Sequence, residues 1–107
     1  MFVFNKPAGL AVQGGSGLSR HVDAMLVALT DRKGQKPRLV HRLDRDTAGV
    51  LVVARTRLAA ERLAAAFRRR SARKVYWSLV AGVPKPRQGR ISTWLAPLTS
   101  NPLARPA

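Results

Sequence analysis

Cysteine is absent from this sequence, which excludes disulfides, thiolate catalysis and zinc–thiolate sites. Acid is nearly as scarce: five Asp and Glu stand against twenty Lys and Arg. A hydrolase working through paired carboxylates flanks its substrate with two groups about 5–10 Å apart. Asp44 and Asp46 lie in one turn amid positive charge and fit that arrangement poorly. Long apolar runs are missing too: the longest, Ala48 to Ala54, is far too short to span a bilayer. No signal-like opening is present, since Met1-Phe2-Val3-Phe4 runs at once into Asn5-Lys6-Pro7. The two histidines, His21 and His41, are far apart without ligand spacing, so no cofactor metal is indicated. No internal repeat occurs. A soluble, cytoplasmic protein without membrane contact is the expectation.

The 107 residues have room for one small domain, and 46 % of them are apolar, enough for a modest core. The formal charge is +15 at pH 7 and the pI ≈ 12.0. Self-repulsion on that scale points to a polyanionic partner, with nucleic acid first. Arg outnumbers Lys, which suits phosphate contacts, although GC-rich coding also enriches Arg and Ala.

In chain order, Phe2-Val3-Phe4 reads as a strand broken at Pro7, with Gly9 freeing the backbone to turn. Leu10-Ala11-Val12 suggests a second extended piece. Gly14-Gly15-Ser16-Gly17 reads as a flexible loop, with a phosphate cradle as the alternative. Ser19 is placed to cap a helix from Arg20 to about Leu29, with Val22, Met25, Leu26 and Leu29 inward and His21 in solvent. Thr30 to Arg38 is a polar, basic connector. Leu39-Val40-His41 then leads as a strand into a polar loop. Val50 to Ala54, apolar on successive residues, reads as a strand covered on both faces. Thr56 caps a helix from about Arg57 to Arg70, with Ala60, Leu63, Ala64 and Phe67 inward and Arg62 and Arg69 outward. Arg68-Arg69-Arg70, Arg73 and Lys74 gather charge at its end, which the helix dipole or an RNA would each favour. Val75 to Ala81 alternates like a half-buried strand, and Arg90 to Trp94 suggests one more. An α+β domain follows, with a mixed, mainly antiparallel sheet and flanking helices.

The loop between the two central strands carries the chemistry. Asp44 stands between Arg42 and Arg45, whose guanidinium groups favour its ionised form. A carboxylate so placed can act as nucleophile, as base, or only as an ion-pair partner. Asp46, Thr47 and Gly49 have turn-forming chemistry, with Asp46 accepting local backbone hydrogen bonds.

His41-Arg42-Leu43-Asp44-Arg45-Asp46-Thr47-Ala48-Gly49 followed by Val50-Leu51-Val52 resembles the central signature of the RluA-type pseudouridine synthases, H-R-L-D-x-x-T-S-G before a hydrophobic strand. Ala48 replaces the usual serine. Asn5-Lys6-Pro7-Ala8-Gly9 resembles the family's N-K-P-x-G motif, and Lys74-Val75-Tyr76 its K-x-Y motif. The resemblance implies a pseudouridine-synthase-like catalytic core that isomerises uridine in RNA, ribosomal RNA before transfer RNA, with no cofactor or metal. It implies Asp44 as the catalytic aspartate, Tyr76 as the residue that stacks on the target base, and Arg42 as the filler of the space left by the flipped uridine. Thr47 joins them as a substrate-contact candidate. Arg45, Lys74, Arg73 and Lys6 are the RNA-contact candidates, Lys6 and Asn5 also helping to build the floor of the site.

Nothing after Tyr76 resembles the family's later R-x-H-Q-I-R motif. A truncated core is therefore expected, with residues 1–98 a partial catalytic domain and 99–107 an irregular tail. Alone it would be inactive or nearly so. The alternatives are a small basic RNA-binding protein without catalysis, and a decayed reading frame.

Overall fold

A computed structural model describes residues 1–96. The chain divides into two compact units, Met1–Val75 and Tyr76–Ala107.

The first unit is built on a three-stranded sheet. Strand β1 is Phe2–Lys6, β2 is Arg38–Leu39 and β3 is Gly49–Ala54, in the order β1-β3-β2 with both pairings antiparallel. The β1–β3 register sets Phe2 opposite Val53, Phe4 opposite Leu51 and Lys6 opposite Gly49. Side chains alternate across a strand, so these pairs share the inner face. There Leu51 and Val53 are fully buried with Val12, Val22, Leu26 and Leu43, flanked by Phe2, Phe4, Leu10 and Leu39. On the outer face Val3 and Val50 stay exposed. The continuous apolar run of β3 suggested cover on both faces, but Val50 corrects that. A run of small β-branched residues cannot by itself report what lies over each face.

The first helix is shorter than its periodicity suggests. Helix α1 is only Val22–Met25, followed by a 3-10 turn at Leu26–Leu29. Val22 and Leu26, one turn apart, reach the core; the tighter winding swings Met25 and Leu29 into solvent. The cap is His21 and not Ser19: its Nδ1 accepts the Ala24 N–H at 3.1 Å. The orphan N–H groups of Val22 and Asp23 donate to the carbonyls of Ala11 and Val12. Gly14 is close against His21; a Cβ there would stand 2.6 Å from its ring. Its glycine is thus explained by packing.

Helix α2, Arg57–Arg68, begins as expected, with Thr56 Oγ1 accepting the Ala59 N–H at 3.1 Å. Ala60, Leu63, Ala64 and Phe67 are half-buried, while Arg62 and Arg69 face water. Its end is a Schellman motif: Ser71 N–H donates to Ala66 O and Arg70 N–H to Phe67 O. That motif needs a left-handed residue, and here it is Arg70 at φ 55, where glycine is the unstrained choice. Arg70→Gly is expected to stabilise the protein by about 0.5–1 kcal/mol in urea unfolding; a loss of stability would count against the strain.

In the second unit, residues 76–96 contain no helix or strand. The strands expected at Val75–Ala81 and Arg90–Trp94 are absent, and Trp77 and Leu79 are fully exposed. Alternation makes a strand possible, but only a paired neighbour supplies its hydrogen bonds. The tail at 99–107 lies outside the described residues. No helix among the described residues is long and apolar enough to cross a membrane.

Candidate active site

The loop from Val40 to Ala48 hangs between β2 and β3 and is fixed from inside by Leu43, which is buried. Its neighbours Arg42 and Asp44 are exposed. Burying the one apolar residue between them turns both polar side chains outward. Asp44 then opens a tight turn, closed by the Thr47 N–H donating to Asp44 O at 3.0 Å.

The turn is held from below by the N-terminal segment. Arg45 O accepts two hydrogen bonds, from Gly9 N–H at 2.8 Å and from Lys6 Nζ at 3.0 Å. The same ammonium donates to Leu10 O at 2.7 Å and Pro7 O at 2.9 Å. An ammonium has three N–H donors, and all three are used, which is how a cation with 2 % exposure survives without a counter-ion. Lys6 therefore corrects its reading as an RNA contact: it cannot reach an external ligand, and instead it forms the floor beneath the loop. Gly9 meets the turn in the left-handed region, φ 89, which a side chain would disfavour.

Asp44 makes no ion pair among the described residues. The expected clasp by both flanking arginines is absent, because Arg45 Nε turns to Asp46 at 3.5 Å. Asp46 is thereby the partner of a side chain and not of the local backbone. Both groups are mostly exposed, and a pair of that kind is worth about 0–1 kcal/mol. Asp44 is thus left uncommitted, on a turn that is itself held firmly. Arg42 is exposed, Arg45 is exposed and turned to Asp46, and Thr47 is half-buried.

His41 is the residue that sequence reasoning missed. Its Nε2 accepts the Val52 N–H at 2.9 Å, one step beyond the last β2–β3 backbone pair, Leu39 with Val53. The imidazole so extends the ladder and pins the start of the loop to β3. Its ring stacks on Phe67 of α2 at 4.6 Å, and Lys74 Nζ lies 5.3 Å from the other ring partner, Phe67. The His-Arg-Leu-Asp order was the available signal, but spacing alone does not reveal a backbone acceptor. Lys74 is thus occupied by an aromatic face, while Arg73 is exposed. Tyr76, the base-stacking candidate, opens the second unit and is exposed.

Burial, and then the charge of Lys74, hold the His41 pKa below its ordinary 6.5. The unfolded chain binds this proton more readily, so this contribution is complete above pH 6.5 and falls as pH drops through it toward the folded value. Urea midpoints measured from pH 8 to pH 5 should decline in the native protein and decline less in His41→Gln. Parallel curves would remove His41 as the cause.

Among the described residues no group of three His, Asp or Glu could hold a metal ion. The arrangement is an exposed carboxylate on a braced turn, with exposed arginines two residues before it and one after it in sequence.

This small antiparallel sheet and the turn that carries Asp44 have counterparts among known proteins. Residues 1–105 match the family described as RNA pseudouridylate synthase, and the chain belongs to that family, in its RluA-type branch. It is 46 % identical over 93 residues to "Pseudouridylate synthase RPUSD4, mitochondrial" of Xenopus tropicalis, covering 83 % of this chain and 29 % of that protein. It is 46 % identical over 101 residues to "Ribosomal large subunit pseudouridine synthase C" of Salmonella typhi, covering 94 % of this chain and 30 % of that protein. The solved structure of "Human RNA Pseudouridylate Synthase Domain Containing 4" is similar with a TM-score of 0.52 and 33 % identity, over 64 % of this chain and 26 % of that one. The chain therefore spans under a third of the length of these relatives.

Proposed function

We propose that the protein carrying this chain isomerises uridine to pseudouridine in RNA, with Asp44 as the catalytic residue. The observation that carries this reading is the placement of Asp44: exposed, without an ion pair among the described residues, and opening a turn clamped by Lys6 and Gly9. The reaction breaks the N1–C1′ bond and joins C5 to C1′, so the C5 hydrogen leaves to solvent and N1 gains a proton. A uridine must leave its stack to reach the carboxylate, at a cost of a few kcal/mol. Arg42, exposed two residues from Asp44, has the planar guanidinium that can occupy the vacated space. Ribosomal RNA is the substrate we assign before transfer RNA, a choice supported by the ribosomal name of the Salmonella typhi relative. Tyr76 is assigned to the target base, and Thr47, Arg45 and Arg73 to contacts beside it.

The test is release of tritium from RNA labelled at uridine C5, measured for the 107-residue chain alone and for the product of its natural reading frame. Turnover is expected from the latter, and little or none from the former. RNA binding by the full product without tritium release would overturn the enzymatic reading.

A further inference from the structure

The outer face of α2 carries cations that the site around Asp44 does not use. Arg62 and Arg69 are seven residues apart, nearly two full turns, and so stand on one side of the helix. That side is opposite Phe67 and the stack on His41. Between the two arginines Ala65 and Ala66 leave a floor of small side chains, and with Glu61 and Ser71 they line an open basin of about 380 Å³. The carboxylate of Glu61 is held by Arg57 Nε at 3.3 Å, which offsets its charge. Arg68, Arg70 and Arg73 continue the exposed positive surface past the end of the helix.

The helix dipole favours cations at a C-terminus, but only weakly, and it does not select a side chain at the left-handed position. Arg70 occupies that position at φ 55, where glycine relieves strain. A cation at a strained position is a reason to look for its work outside the fold. Arg62 and Arg69 are about 10 Å apart along the axis. At that spacing each arginine can take a different one of the successive phosphates of a strand. Guanidinium forks match phosphate oxygens in pairs.

We infer that the Arg62–Arg69 basin and Arg70 seat the sugar–phosphate backbone of an RNA strand, at a distance from the uridine that reacts. The inference rests on the assignment of RNA as substrate. It adds a second contact surface that holds flanking RNA without reading its bases.

The experiment measures binding of a fluorescein-labelled RNA hairpin with a single-stranded tail, by anisotropy across a salt series. The protein is the product of the natural reading frame carrying Asp44→Asn, so that no turnover intrudes. Each lost phosphate contact lowers the slope of log K against log salt by about 0.7–0.9. The pair Arg62→Gln and Arg69→Gln should make it shallower by about 1.5, and Arg70→Gly by a little under 1 while raising the Tm. Arg69→Lys should retain the slope, since the charge stays. Arg32→Gln with Lys33→Gln removes two exposed cations from the connector and should leave it unchanged. Unchanged slopes in the α2 variants, or an equal fall in the connector pair, would overturn the inference. Failure of the unsubstituted protein to isomerise uridine would sink the enzymatic reading instead, because binding is read without turnover.

Discussion

Asp44→Asn is expected to abolish tritium release while the RNA stays bound as tightly as before, or slightly tighter. The substitution keeps the shape of the side chain and removes its charge and its ability to accept a proton or attack carbon. Loss of such a group costs about 10²–10⁴-fold or more in turnover. The fold should not respond, because the part of Asp44 that supports the turn is its carbonyl, which accepts from Thr47 N–H, and its carboxylate makes no ion pair among the described residues. Removing one negative charge from a chain of net +15 can only favour a polyanion. Turnover within a few-fold of the unsubstituted protein would remove Asp44 from the chemistry. Loss of turnover together with loss of binding would assign it to substrate recognition.

The second large effect is expected at a residue that touches no substrate. Lys6→Met replaces a buried ammonium with an apolar chain of similar length. Three carbonyls, those of Pro7, Leu10 and Arg45, lose a charged donor in a place that water does not reach. Hydrogen bonds to charged groups are worth about 1.5–3 kcal/mol each before compensation, and unpaired buried acceptors about 1–3 kcal/mol. With partial relaxation, a net loss of about 3–5 kcal/mol is the expected outcome, a large share of the 5–15 kcal/mol that holds a domain. Amide exchange at Gly9 should accelerate more than at Ala59, which is capped in α2 and does not depend on Lys6. An unchanged urea midpoint with unchanged exchange at Gly9 would show that the loop holds without its ammonium. Lys6→Met should also depress turnover through the loosened turn, with a smaller effect on RNA affinity than on rate.

The two predictions separate two kinds of dependence in one loop. The role proposed for Asp44 needs a carboxylate with no ion-pair partner among the described residues, and the support from Lys6 comes from an ammonium whose three donors are all engaged. Neither condition is visible in the residue type. From charge alone, Lys6 was one more cation for RNA, and Asp44 was a carboxylate caught between arginines. The structure leaves Lys6 only its expected place in the floor of the site, and turns Arg45 to Asp46 instead of Asp44.

Chain-local chemistry settled a good deal before any contact was known. The start of α2 follows from Thr56 and from apolar residues recurring at helical spacing, and both are properties of residues a few positions apart. The strands β1 and β3 follow from short apolar runs ended by Pro7 and preceded by Gly49. The position of the loop that carries Asp44, the absence of cysteine and the excess of positive charge are likewise fixed by the chain itself. Tertiary structure decided what depends on distant partners. Lys6 meets a carbonyl 39 residues away, His41 bonds to a backbone amide on a neighbouring strand, and Val50 lies open where its apolar run suggested cover. The stretch Val75–Ala81 has the alternation of a strand but no paired neighbour among the described residues, so it is not one. Period and capping are written between neighbours in sequence, whereas burial and pairing are set by whichever segment folds against them.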